Sequence, residues 1–149
     1  MELILYLAAL LHEIGTFISS RSHHKHAMYI IRHSELFGLS ERDQLLLSLV
    51  VRYQRRSSPQ PEHEGYSILD RNDRIAVAKM AAMLRLAIAL DESRSERIGT
   101  IRCLKEDNRL VIITRGSEDV SLEQLTIRQS GDLFEEVFGL SVALRNELE

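Results

Sequence analysis

Four of the six histidines fall within fifteen residues, in the words Leu10-Leu11-His12-Glu13-Ile14-Gly15 and Ser22-His23-His24-Lys25-His26. Histidine is neither a favoured core residue nor a common surface one, so imidazoles gathered this densely point to the polar lining of a pocket. Three contents fit such a lining: a metal ion, a phosphate, or only the side chains' own hydrogen bonds. His12 and Glu13 set an imidazole beside a carboxylate at the end of an apolar run. His23 and His26, three apart, share a helix face, whereas His24 points elsewhere. Together with Asp91, the residues His12, Glu13, His23 and His26 form a nitrogen and oxygen donor set. Such a set suits Mn, Fe, Zn or Mg rather than a thiolate-bound structural metal. A divalent metal held there would activate water for attack on phosphorus and polarise a phosphoryl oxygen. The alternative is a hydrogen-bonded network in which Asp91 or Glu13 orients His12 and no ion is bound.

The cations nearby suggest a second chemistry. Lys25, Arg52, Arg55 and Arg56, with His23 and His24, form a candidate phosphate-binding set, the arginines as bidentate forks and the lysine as a point charge. The competing reading is a solvated helix face. The net charge of −3 hides an uneven layout: Arg21 to Arg97 carry 13 Lys/Arg against 10 Asp/Glu, and Ile98 to the end carry 6 against 10. The positive surplus shares its segment with every histidine except His12. A modest basic patch of this kind suits a phosphate-bearing ligand better than a specific nucleic acid, whose duplex calls for a more strongly basic face.

Helices must position these groups. Residues 2–13 read as an amphipathic or wholly buried helix, with Leu3, Leu7, Leu10 and Leu11 near helical spacing and Gly15 as its stop. Helical spacing resumes over His23–His33 and ends at Gly38. Ser40 to Asp43 resembles a capping box opening a helix with Leu45, Leu46, Leu49, Val50 and Tyr53, the last expected in the core. After a loop from Ser57 to Tyr66, Asp70 to Asp73 repeats the capping pattern and begins the longest helix, Arg71 to Leu90, with Ile75, Ala78, Ala82, Leu86 and Ala89 on one apolar face. Asp91 closes it, where an acid opposes the helix dipole and so needs a partner. Arg85 lies six residues earlier in the same apolar helix, and a buried Arg must be paired. Arg85 is therefore expected to form a structural ion pair with Asp91 or Glu13, and Arg94 could do the same job from just beyond the helix. His33 and His63 read as surface residues.

Past Arg97 the pattern changes. Ile98–Leu104 and Arg109–Thr114 are short β-prone runs joined by a turn at Glu106-Asp107-Asn108. Leu122–Gln129 and Asp132–Phe138 read as helices, with Ser121 to Gln124 as another capping box, Gly139 as a stop and Leu140–Leu144 as a last strand. The expected fold is mainly α: a helical domain over residues 1–95 and a small α+β subdomain over 96–149. Only Met1 and Glu2 precede the apolar run that starts at Leu3, so the chain is expected to begin in mid-fold, with further chain upstream.

At 149 residues, 44% hydrophobic and 28% charged, the chain has the size and composition of an ordinary globular protein. Its single cysteine, Cys103, excludes an internal disulfide and fits a reducing, cytoplasmic compartment. The longest apolar run, Leu3 to Leu11, is too short to span a membrane.

His12-Glu13 with a distant Asp91 at a helix end resembles the HD superfamily of helical phosphohydrolases. The likeness is closer to one branch, the C-terminal region of the exopolyphosphatase and guanosine-pentaphosphate phosphohydrolase (Ppx/GppA) family. It rests on Ala8-Ala9-Leu10-Leu11-His12-Glu13-Ile14-Gly15, on His23-His24-Lys25-His26 and Arg52-Tyr53, on Leu84 through Arg94, and on Asp132-Leu133-Phe134-Glu135-Glu136-Val137-Phe138-Gly139. It spans nearly the whole chain. The resemblance implies an HD-like helical bundle with a small α+β tail. It also implies that hydrolysis of polyphosphate or of guanosine pentaphosphate belongs to an N-terminal actin-like ATPase-fold domain, for which this chain has no Gly-rich phosphate loop. The HD-like region would then help hold the polyanion and form domain and homodimer interfaces. Two departures bear on a metal: Glu13 stands where the superfamily usually has Asp, and the superfamily's first His has no counterpart. An independent metal-dependent HD phosphohydrolase acting on a nucleotide or phosphoester is the alternative reading.

Overall fold

The apolar spacing at the N-terminus produces helix α1, Glu2–Leu11, which packs on α3, Glu41–Arg52. Ile4 and Ala8, four apart and therefore on one stripe, are its buried positions. The leucine face expected to point inward does so only in part, because Leu3 and Leu10 are exposed together with Tyr6. The small side chain of Ala8, fully buried, takes the contact instead. This is a computed structural model describing residues 1–55, 57–91, 98–116 and 119–147. Two residues singled out from the sequence, Arg56 and Arg94, lie outside the described residues.

The chain forms two compact units, Met1–Leu84 and Arg85–Glu149. The division falls inside a helix, whereas the change in sequence pattern comes past Arg97. In the first unit a 3-10 turn, Ile14–Phe17, follows α1 and packs on α2, His23–Arg32. Gly15 is buried in that turn at a negative φ, so it is not the left-handed helix stop expected of it. Its role is close approach, since a Cβ there would overlap the backbone of α2. Helix α2 ends at Arg32, well before Gly38, whose positive φ of 85° belongs to a later turn.

Helix α3 is the centre of this unit. Leu46, Leu47, Ser48, Leu49, Val50 and Val51 are all buried, each large apolar side chain contributing about 1.5–3 kcal/mol of transfer free energy. The Ser40 side chain caps it by accepting from the Asp43 amide at 3.1 Å. Helix α4, Arg71–Leu90, opens in the same way, with Asp70 Oδ1 accepting from the Asp73 amide at 2.8 Å. Arg42 then ties α3 to α4 by a two-pronged ion pair with the buried Asp73. Within the first unit, α4 buries Val77, Met80, Ala81, Ala82 and Leu84, while Ile75, expected on the apolar face, is exposed.

The second unit holds a three-stranded sheet of order β1-β2-β3. Strands β1, Ile101–Glu106, and β2, Arg109–Arg115, pair antiparallel with Glu106 opposite Arg109. Asp107 takes the tight turn at φ 48°, a conformation that Asp tolerates better than most residues. Two helices, α5, Ser121–Ser130, and α6, Asp132–Phe138, lead to β3, Ser141–Glu147, parallel to β2. Gly139 ends α6 at φ 71°, its amide donating to the Glu135 carbonyl at 2.8 Å. The capping box expected at Ser121 does not form; Asp119 accepts from the Ser121 amide instead, at 2.9 Å. The architecture is mainly α with a small β tail. Among the described residues no helix is long and apolar enough to cross a membrane.

Candidate anion site at the start of helix α2

The histidine words meet because Gly15 lets the 3-10 turn lie directly against the first turns of α2. His12, just past α1, has Nδ1 2.7 Å from the Ala9 carbonyl oxygen, so that nitrogen carries the proton and donates. Its Nε2 lies 3.9 Å from Glu13 Oε1. The His12 carbonyl accepts a 2.7 Å bond from Nε2 of Gln54, a buried residue just past α3. The His12 backbone also acts on the His23 ring, favouring its charged form. The end of α1, the start of α2 and the end of α3 are thus joined at one point.

Around that point Lys25, Arg52 and Arg55 outnumber the carboxylate of Glu13, and the His23 and His24 rings are held toward the neutral form. Burial pushes the His24 ring down to about 4, and the Arg55 guanidinium adds to it, followed by His23, Lys25 and Arg52. His23 is lowered by burial and then by Arg55, with Glu13 opposing. The buried Nδ1 atoms of both rings have no hydrogen-bond partner among the described residues. The N-cap of α2 is Ser22, held at a positive φ of 54°, and its side chain makes no capping bond. The first amides of α2 therefore lack a side-chain acceptor, and the positive end of the helix dipole adds to Lys25, Arg52 and Arg55.

His23, His24, Lys25, Arg52 and Arg55 are thus brought within electrostatic reach of one another. Arg52 is further fixed, its NH1 3.1 Å from His63 Nδ1 and its guanidinium 5.0 Å above the Tyr53 ring. His63, read from the sequence as a surface residue, is a structural hub. Its Nδ1 also meets the hydroxyl of fully buried Tyr53 at 2.7 Å and the Gln60 amide at 3.3 Å. The Arg52 guanidinium and the Gln60 amide can only donate, so Nδ1 is the acceptor in those contacts. No sequence signal marked it, because its partners lie 10 and 11 residues away along an irregular loop.

The metal-ligand set is not assembled in this way. Among the described residues, no group of three or more His, Cys, Asp or Glu side chains is placed to hold a metal ion. His12 and Glu13 adjoin, and His26 is half-buried with no side-chain hydrogen bond or ion pair among the described residues. Asp91 belongs to the second unit and is exposed. Of the expected ion pair of Arg85, Asp91 and Arg94, Arg94 lies outside the described residues. Buried Arg85 is influenced first by desolvation and then by the carboxylates of Asp132 and Glu136 on α6.

The sequence matches the family description "Ppx/GppA phosphatase, domain III" over residues 1–131. The chain belongs to the Ppx/GppA phosphatase family. Relatives of this Ppx/GppA chain include the guanosine-5'-triphosphate,3'-diphosphate pyrophosphatase of Pseudoalteromonas atlantica, 32% identical over 110 residues, or 72% of this chain and 21% of the relative. The enzyme of the same name from Photobacterium profundum is 30% identical over 94 residues, or 62% of this chain and 18% of the relative. The chain thus spans about a fifth of the length of the curated Ppx/GppA relatives it matches. The candidate site, from His12 to Arg55, lies wholly inside the matched domain III segment.

Proposed function

We propose that this chain is the polyanion-holding, HD-like part of a polyphosphate or guanosine-pentaphosphate phosphohydrolase, and that it does not itself cut the phosphoanhydride bond. The observation that carries the reading is the corner formed by His23, His24 and Arg55. There, two half-buried neutral imidazoles and an uncapped helix start face guanidinium and ammonium groups. Such a corner suits an oxyanion, which accepts from amides, guanidinium and ammonium without needing a nucleophile beside it. The relatives are guanosine-5'-triphosphate,3'-diphosphate pyrophosphatases, which supports a phosphate chain as the ligand.

A second role follows from α1. Leu3, Tyr6 and Leu10 of α1 and Phe17 of the following 3-10 turn are exposed, Phe17 at 91%, and exposed apolar patches mark interaction surfaces. This supports packing against the N-terminal actin-like phosphatase domain or against a second copy in a homodimer.

The purified chain is expected to bind polyphosphate, with affinity falling as salt rises, and to release no phosphate. Arg55→Ala and His24→Ala should each weaken binding by about fivefold, roughly 1 kcal/mol. Steady phosphate release that disappears in His12→Ala would overturn the non-catalytic reading. So would stoichiometric Mn, Fe or Zn in protein purified without added ions, coupled to that activity.

A further inference from the structure

Pairing in the second unit sorts the strand residues onto two faces. Val142 and Leu144 share a face with Ile112, and α5 and α6 pack there: Gly131 lies against the Val142 side chain, and Gln124 Nε2 donates to the Leu144 carbonyl at 3.2 Å. The register puts Arg102, Glu106, Arg109, Arg115, Arg145 and Glu147 on the opposite face, around Val111 and Ile113. Four arginines meet two glutamates there.

The glutamates are not shared evenly. Arg145 makes two 3.1 Å bonds to Glu106, and Arg109 a third at 3.3 Å. Glu147 has a looser contact, 3.7 Å from Arg102. Arg115 has no hydrogen-bond or ion-pair partner among the described residues, and it lies beside Glu147 in the β2–β3 register. The positive surplus therefore collects at the Arg115 end of the sheet. At that end is an open depression of about 410 Å³ lined by Thr100, Ile101, Arg102, Ile113 and Arg115. Its lining thus combines the apolar Ile101 and Ile113, the latter 3% exposed, with two arginines.

We infer that this depression is a binding site for a phosphate group, separate from the corner at α2 and assembled within the second unit alone. Arg102 and Arg115 lie diagonally on adjacent strands, about 7–8 Å apart by sheet geometry, so both forks reach one tetrahedral anion seated between them. The Thr100 hydroxyl supplies a further donor. Binding exchanges the Arg102–Glu147 contact for two charge-assisted bonds to the anion. Glu147 therefore acts as an internal competitor that the ligand displaces. The ligand class is a phosphate monoester or the terminal phosphate of a chain: a compact dianion matches two converging forks better than a planar carboxylate does.

The test is titration of the full 149-residue chain with inorganic phosphate at fixed ionic strength, read by backbone amide shifts. Saturable shifts are expected at residues 100–102 and 113–115, with chloride at matched ionic strength producing none. Arg115→Gln should weaken this response by about fivefold or more, while Glu147→Gln should strengthen it about twofold, a gain that damaged folding could not produce. His24→Ala should leave it unchanged, so loss of the α2 corner and loss of this site are separately visible. Absence of saturation at these residues overturns the inference, and so does equal affinity in wild type, Arg115→Gln and Glu147→Gln.

Discussion

Gly15 and His23 touch backbone to backbone: a Cβ at Gly15 would overlap the His23 carbonyl oxygen and sit 2.6 Å from the Ala27 amide nitrogen. The contact fixes the turn carrying His12 and Glu13 against the helix carrying His23 and His24. Gly15→Ala should therefore cost about 3 kcal/mol, at the upper end of overpacking penalties, because backbone cannot yield as a side chain does. Urea unfolding of the variant checks this, and a loss below 1 kcal/mol would show that the turn and α2 separate easily.

The helix caps give a smaller and more uniform effect. Ser40 and Asp70 each accept from the amide three residues on, at 3.1 and 2.8 Å. Ser40→Ala and Asp70→Ala should each destabilise by about 1 kcal/mol. Ser121→Ala should cost less, since Asp119 supplies the acceptor at the start of α5. Thermal unfolding of the three variants ranks them.

His63 gathers the Tyr53 hydroxyl, Arg52 and the Gln60 amide on a single nitrogen. His63→Ala removes that shared acceptor and the stacking on Tyr53, whose ring centroid is 5.7 Å away. A loss of about 2 kcal/mol is expected, with weaker polyphosphate binding because Arg52 is released. Tyr53→Phe, which removes one donor but keeps the ring, should cost less. Equal stability of His63→Ala and the parent chain would refute the hub.

Stability should depend on pH through His24 and His23. His24 lies at about 4 in the folded chain against 6.5 unfolded, so between those values the unfolded chain binds more protons. Stability is fully present above about pH 6.5 and declines as pH falls toward 4. His23, lowered for the same first cause, acts in the same direction. The ceiling is about 1.4 kcal/mol per pH unit for one proton, reduced here because both rings are only half-buried. His24→Gln should flatten the Tm profile across this window. Polyphosphate should shift the midpoint upward, because an anion at the rings favours their protonated form.

Much of this protein was legible in the sequence because the relevant physics is local. Helical periodicity set α4 at Arg71–Leu90 and α6 at Asp132–Phe138, and Asp or Ser followed three residues later by an acid marked two real caps. The words around His12, His23 and Arg52 pointed to the family that the domain III match then showed. Tertiary structure alone decided the rest. Leu3 and Leu10 carry the same apolar signal as Ile4 and Ala8, but only the latter pair is buried, because burial depends on which stripe of α1 meets the rest of the unit. Arg85 required a partner on any reading, yet that the nearby acids are Asp132 and Glu136 depends on where α6 lies. Gly15 looked like a helix stop and is instead the point where two backbone segments meet, a steric demand that exists only once α2 has folded onto the turn.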